Sequence, residues 1–151
     1  MKTRFIFPLI GTLFISIMAI YFLVNPSYEK SLEAKYYYET GDYKEAYSLA
    51  QEAFSMDIYN RMAATIMAQS TISLKYEAYI TQAQAYLKQI NEMATQENIS
   101  TADRVRIKLM SEIVTNSYTK LAPSIITDKS LVIQAKKYHD DFEQLLEKVT
   151  K

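Results

Sequence analysis

Residues 5–24 read FIFPLIGTLFISIMAIYFLV, and none of these twenty residues carries a charge. Thirteen of them are Leu, Ile, Phe or Val. A helix rises about 1.5 Å per residue, so this segment would extend about 30 Å, the thickness of the hydrocarbon core of a bilayer. The pattern predicts a single transmembrane helix, because a core helix of a soluble protein is seldom apolar on every side.

The charges on either side of this segment predict its orientation. Lys2 and Arg4 precede it, whereas the flank at residues 25–30 has one basic and one acidic residue. The positive-inside rule therefore places residues 1–4 in the cytoplasm and residues 27–151 outside it, which in a bacterium means the periplasmic side of the inner membrane.

A cleaved secretory signal is the alternative for the same segment, and it would release a secreted helical protein. Signal cores usually have about 7–15 apolar residues and end in small residues. This segment is longer and ends in Tyr-Phe-Leu-Val, followed by Asn25 and Pro26. These features favour a signal-anchor that stays attached.

The composition of the remaining chain favours helices. It has 15 basic and 17 acidic side chains, a net charge of −2, which is not the basic surface that nucleic-acid binding requires. The whole chain has two Gly, three Pro and no Cys, so disulfides and thiolate metal sites are excluded. No segment alternates apolar and polar residues with the period of a strand. We therefore predict an all-α fold.

Caps and apolar spacing predict where the helices lie. Ser27 and Asp42 are candidate N-caps, Gly41 a candidate C-cap, and Ser100 with Asp103 a capping box. The predicted helices are 28–40, 43–56, 61–74, 76–94, a fifth from Ser100 to before Pro123, and a sixth from Thr127 or Asp128. The predicted buried seams are Tyr76, Ile80, Ala83, Leu87, Ile90 and Ala94; Ala102, Val105, Leu109, Ile113 and Leu121, with Met110 and Val114 alongside; and Leu131, Ala135, Tyr138, Phe142, Leu145 and Val149.

Residues 34–57 include Ala34, Tyr37, the segment GDYKEA at 41–46, Ala53 and Asp57. This pattern resembles one tetratricopeptide repeat (TPR), a helix-turn-helix unit of about 34 residues. Small residues let the two helices approach closely, and glycine allows the tight reversal. A degenerate second repeat begins at Arg61. The resemblance implies a short antiparallel helical array over 27–94, followed by C-terminal helices over 101–151.

In this family the first helix of a repeat lines a groove that binds peptides or partner helices. Carried over by position, the resemblance implies partner-binding residues at Tyr28, Ser31, Lys35, Tyr38 and Glu39. The alternative is that these side chains face water or pack on the next helix. The neighbouring run Tyr36-Tyr37-Tyr38 covers most of the helix circumference, so at least one ring must leave the core. Tyrosine is favoured at interfaces, so packing and partner binding are both open for this run.

The sequence carries few groups that indicate an enzyme. His139, Asp140 and Asp141 are adjacent, but successive residues on a helix point apart, and only His139 and Glu143 share a face. No phosphate-binding or nucleophile motif is present, so we predict no enzyme, no catalytic residue, no cofactor and no metal site. Asn98-Ile99-Ser100 matches a glycosylation acceptor.

Together, the apolar segment, the repeat pattern and the lack of catalytic motifs predict a membrane-anchored interaction or scaffold protein. We expect it to be an accessory to an envelope assembly, with a protein or peptide partner.

Overall fold

The computed structural model describes residues 6–95 and 99–150, which form six α-helices and no strand. The all-α prediction is therefore confirmed for these residues. The helices are α1 (Ile6–Val24), α2 (Pro26–Thr40), α3 (Tyr43–Met56), α4 (Arg61–Ala94), α5 (Thr101–Tyr118) and α6 (Lys129–Thr150). The predictions that involve Lys2, Arg4, Phe5 and Asn98 lie outside the described residues.

Helix α1 exposes its apolar side chains. Among the large apolar side chains of α1 that the structure describes as exposed, the exposed fraction runs from 47% at Ile6 to 76% at Phe7. No single helix among the described residues has the combined length and hydropathy of a membrane span, but the bent pair Ile6–Tyr21 and Pro26–Thr40 does.

The turn between α2 and α3 forms as its residues predict. Gly41 has φ +90°, the left-handed conformation that only glycine adopts without strain. The N–H of Asp42 donates to the carbonyl of Tyr37 at 2.9 Å, which closes the end of α2. The carboxylate of Asp42 accepts from the N–H of Glu45 at 3.1 Å and caps α3. Both predicted caps are confirmed.

The predicted cap of α2 is wrong. Asn25, not Ser27, caps this helix, because its side chain accepts from the N–H of Ser27 at 3.0 Å. Pro26 occupies the first helical position, where its missing N–H leaves no hydrogen bond unmade. Ser27 is thereby moved inside the helix and is 2% exposed.

Residues 1–70 form one compact unit and residues 71–151 a second, with the division inside α4. The sequence pattern had placed the break between 94 and 101. It had also predicted two helices, 61–74 and 76–94, and this was wrong: α4 runs unbroken from Arg61 to Ala94. Lys75 is a good helix former, and no Gly or Pro lies in this helix to break it.

The interior of unit 1 is built from small residues. Ala34, Ala46, Ala50 and Ala53 are all 0% exposed, and Leu49 and Ile66 pack with them. Side chains this small let the axes of α2 and α3 approach closely. The arrangement is compatible with a helical repeat, and Ala34, Ala46 and Ala53 are all buried between the helices of this unit.

The interior of unit 2 is built from large residues of α4, α5 and α6. Its buried members are Tyr76, Tyr79, Ile80, Ala83, Ile90, Ile107, Val114, Ala135 and Phe142. The predicted seams of α4 and α6 are confirmed in the main, with Phe142 at 0% exposure in the centre. Ala94, predicted to be buried, is exposed.

The predicted seam of α5 is wrong in its first half and confirmed in its second. Val105 and Leu109 are 62% and 57% exposed, and Ala102 is also exposed. Val114 is buried and Met110 and Leu121 pack against the core, as predicted, whereas Ile107 is buried although the predicted seam omits it. Apolar residues lie on both sides of this helix, so spacing alone did not identify the side that faces the core. The helix also ends at Tyr118, before the predicted Leu121.

The N-cap residues of α5 and α6 agree with the prediction, but Asp103 accepts from the hydroxyl of Ser100 and not from its N–H, so the capping box is not completed. The hydroxyl of Ser100 accepts from the N–H of Asp103 at 3.1 Å and donates to its carboxylate at 2.6 Å. At the start of α6, Asp128 accepts from the N–H of Ser130 at 2.8 Å. Of the two predicted starts, Asp128 is therefore the cap.

Candidate partner-binding face

The outward side of α2 is the part of unit 1 that the resemblance assigns to a partner. Leu32 and Tyr36 are 51% and 63% exposed, and Lys35 and Glu39 lie beside them on the surface. We call these four residues the α2 face. The ammonium of Lys35 and a carboxylate oxygen of Glu39 are 3.6 Å apart, and both side chains are more than half exposed. Such a pair adds little stability in water and is free to be re-paired by a partner.

The three consecutive tyrosines divide between surface and core. Tyr36 is exposed, and its ring meets the edge of the Tyr37 ring with centroids 5.6 Å apart. Tyr37 and Tyr38 are half-buried and pack against the alanine-rich core. The ring of Tyr38 lies 5.4 Å from that of buried Tyr43. The prediction that at least one ring leaves the core is confirmed, and that ring is Tyr36.

The other residues that the resemblance selects are less accessible. Tyr28 and Tyr38 are half-buried. Ser31 is 0% exposed and therefore offers no surface to a partner. Its position one helical turn from Ser27 directs it toward the first turn of α4 rather than outward. Of the five residues, only Lys35 and Glu39 are fully on the surface.

A buried polar cluster holds Ser31 in place and joins three helices of unit 1. The amide nitrogen of Asn60 donates to the hydroxyls of Ser27 and Ser31, each at 2.8 Å. Its amide oxygen accepts from the N–H of Ala63 at 3.1 Å, which caps α4. The hydroxyl of Ser27 donates to the carbonyl of Ala53 at the end of α3, at 2.8 Å. We call Ser27, Ser31 and Asn60 the polar joint.

The polar joint was missed in the sequence. Asn60 lies between the predicted helices 43–56 and 61–74, and Asn directly before a helix is a recognised N-cap signal. Its second role, donation to two serines about 30 positions earlier, has no local signal. The polar joint ties the first turn of α2 to the N-terminus of α4. It thereby helps to position the α2 face.

Lys30 connects α2 to α3 at the surface. Its ammonium lies 2.9 Å from a carboxylate oxygen of Glu52. The hydrogen bond to Glu52 raises the pKa of Lys30 above its ordinary value, and the nearby carboxylates of Glu33 and Glu29 act in the same direction. This ion pair therefore links α2 to α3 at the surface of unit 1.

The acidic residues near His139 lie closer to it than the sequence predicted. His139, Asp140 and Glu143 each bring a possible ligand atom within 4.8 Å of the others, so the expectation that Asp140 points away from His139 is wrong. Asp141 is not part of this group. The ammonium of Lys136, however, lies 2.7 Å from the carboxylate of Asp140 and neutralises it.

The ring of His139 serves packing in unit 2. It stacks on Tyr118 with centroids 4.3 Å apart and an interplanar angle of 11°. Its Nδ1 is buried and has no hydrogen-bond partner among the described residues. Histidines that bind metals normally donate from their second nitrogen to an acceptor. The contacts of this group therefore fit a packed ring and an ion pair better than a metal site.

No protein-family model matches this chain, and no curated protein or solved structure shows significant similarity to it.

Proposed function

We propose that this chain is a membrane-anchored interaction protein, in which residues 5–24 hold it in a bilayer and a TPR-like helix pair presents a partner-binding surface. The observation that carries the proposal is the exposure of α1. Large apolar side chains on all sides of an uncharged helix are unfavourable in water and are covered in a bilayer.

The α2 face supports the second half of the proposal. It combines an exposed tyrosine, an exposed leucine and two re-pairable charges on a helix that the alanine core and the polar joint hold in one position. Tyrosine contributes large contact area for little loss of conformational entropy, and it is enriched where binding energy concentrates. A preorganised face of this kind suits a protein or peptide partner in an envelope assembly.

The anchor is tested by the behaviour of the full chain in cells. Membranes washed with alkaline carbonate should retain the wild-type chain and release a variant with Ile10→Lys and Leu13→Lys, because lysine near the bilayer centre opposes insertion. Protease should cut residues 27–151 from the non-cytoplasmic side only. Release of the wild-type chain at reduced mass would instead identify a cleaved signal and a secreted protein.

The partner face is tested by photocrosslinking from one position at a time. A photoreactive residue at Tyr36 should give a discrete crosslinked species in cells, and Lys35→Glu combined with Glu39→Lys should diminish it. The matched control is the same photoreactive residue at Tyr59, which is 83% exposed on another turn of unit 1. Equal crosslinking from both positions would reject a specific face.

A further inference from the structure

Helix α5 carries a second apolar side that faces away from the core. Val105 and Leu109 lie one turn apart and are 62% and 57% exposed, and Ala102 precedes them on the same side. Ile107 and Val114, on the opposite side, are 4% and 1% exposed. The helix is therefore apolar on two sides, and only one of them is used by unit 2.

Three cations border this outward side. Arg104, Arg106 and Lys108 are all exposed. At about 100° per residue, Arg104 and Lys108 lie on one side of Val105 and Arg106 lies on the other. The nearest carboxylate oxygens to Arg106 and Lys108 are 3.9 Å away, at the outer limit of an ion pair. We call Ala102, Arg104, Val105, Arg106, Lys108 and Leu109 the α5 face.

We propose that the α5 face binds the surface of an anionic phospholipid bilayer. Val105 and Leu109 enter the boundary between headgroups and acyl chains, and the three cations lie at the level of the phosphates. Apolar residues between flanking Lys and Arg are the pattern of helices that lie in the membrane interface. The proposal rests on the proposed function, in which α1 already holds the chain at a membrane.

The size of the α5 face favours lipid over a protein partner. Glu112 and Asn116 occupy the next turns on the same side, so the apolar part extends over about two turns. A stable protein interface buries about 800 Å² on each partner, which exceeds what two aliphatic side chains and an alanine provide. A chain that is already tethered needs far less contact, because its second binding event is intramolecular.

The chain has no tryptophan, so one substitution introduces a single tryptophan as a fluorescent reporter. The full chain carrying Val105→Trp is reconstituted into vesicles of phosphatidylcholine and phosphatidylglycerol whose acyl chains are brominated, and quenching is measured. Phe14→Trp reports on the anchor. Ile58→Trp is the control, since Ile58 is also an exposed apolar residue, 63% exposed, and lies in unit 1. We expect quenching at positions 14 and 105 and none at 58.

The outcomes separate this inference from the proposed function. Quenching at 14 without quenching at 105 overturns the α5 proposal and leaves the anchor standing. Absence of quenching at both positions overturns the anchor and the α5 proposal together. A blue shift at 105 without quenching identifies a protein contact, such as a second copy, and also overturns the proposal. Equal quenching at 58 and 105 contradicts a specific face.

The role of charge is tested in the Val105→Trp chain. Replacing Arg104, Arg106 and Lys108 by Gln should lower the partitioning of the tryptophan into anionic vesicles by about fivefold for each cation. Added salt should also lower the partitioning of the tryptophan in the chain that keeps all three cations, because salt screens their attraction to the phosphates. The control replaces three exposed lysines elsewhere, Lys44, Lys75 and Lys88, by Gln and should leave quenching unchanged. Equal losses in the two triple variants, or no loss in the first, would overturn the proposal.

Discussion

The two units of this chain pack their helices through different kinds of side chain. Unit 1 brings α2 and α3 together over four fully buried alanines and fastens them to α4 through the polar joint. Unit 2 fills its interior with tyrosines, isoleucines and Phe142, and leaves the hydroxyl of Tyr79 and Nδ1 of His139 buried without a hydrogen-bond partner among the described residues.

This difference teaches where the stability of each unit comes from. Alanines bury little apolar area per residue, so unit 1 depends on close approach and on the hydrogen bonds of the polar joint. The hydroxyl of Ser70 in this unit is nevertheless buried without a hydrogen-bond partner among the described residues. Large side chains bury far more area, so unit 2 gains enough from apolar burial to tolerate polar groups that are not satisfied. The predictions below test that contrast, and each can be measured by urea denaturation of the full chain in a mild detergent, followed by circular dichroism.

The largest effect is expected from Phe142→Ala. Phe142 is 0% exposed in the interior of unit 2, so truncation removes its buried ring and leaves a cavity. We expect the free energy of unfolding to fall by about 3–5 kcal/mol. Ile133→Ala on the same helix is the control, because Ile133 is 69% exposed, and it should change stability by less than about 0.5 kcal/mol. Similar losses in both variants would refute the assigned packing of α6.

The next effect is expected from Asn60→Ala in the polar joint. The substitution removes the cap of α4 and the amide group that donates to both serine hydroxyls. We expect the free energy of unfolding to fall by about 2–3 kcal/mol. Asn60→Asp keeps the capping oxygen but loses the donor and buries a charge, so it should be at least as destabilising. Rescue by Asp would show that only the cap matters. Asn91→Ala, at an exposed site on α4, is the matched control.

The sequence predicted those parts of the fold that depend on local signals. Gly41, Asp42 and Ser100 act within a few residues of themselves, and each forms the cap that was expected. The polar joint was not predictable in this way, because Asn60 donates to residues 29 and 33 positions away.

The exposed side of α5 was mispredicted for a different reason. Val105 and Leu109 have the same spacing as a buried seam, and only the neighbouring helices decide which side of α5 is covered. The cations at 104, 106 and 108 were the available signal, since they border the outward side. For the candidate partner face, the resemblance correctly located Lys35 and Glu39 on the surface but placed buried Ser31 there as well.

A smaller effect is expected from Gly41→Ala at the turn of unit 1. An added Cβ would meet no atom within 4 Å, so the cost arises only from φ +90°, and about 1–2 kcal/mol should be lost. Gly41→Asn is the matched control and should lose less, because Asn tolerates the left-handed conformation. Equal losses would indicate that the turn is not held in this conformation.

The smallest effect, and the one of opposite sign, is expected from Tyr79→Phe in unit 2. The hydroxyl of Tyr79 is buried and has no hydrogen-bond partner in the part of the chain that the structure describes, so its removal should leave stability unchanged or raise it by up to about 1 kcal/mol. Tyr59→Phe, at a side chain that is 83% exposed, should have no effect. A clear loss of stability in Tyr79→Phe would show that an ordered water satisfies the hydroxyl.

Alkaline titration sharpens this last comparison. Burial raises the pKa of Tyr79 above its ordinary value of 10.0, and Tyr118 and Asp140 act in the same direction. Above pH 10.0 the unfolded chain releases the phenolic proton of Tyr79, while the folded chain retains it. A proton is therefore lost on unfolding, and stability falls as the pH rises. Below pH 10.0 the phenol is neutral in both states and contributes no pH dependence. Tyr79→Phe should therefore unfold at a higher pH than the wild type, and the gap between their midpoints in urea should widen above pH 10.0. Parallel curves for the two chains would mean that Tyr79 ionises as readily in the folded unit as in water.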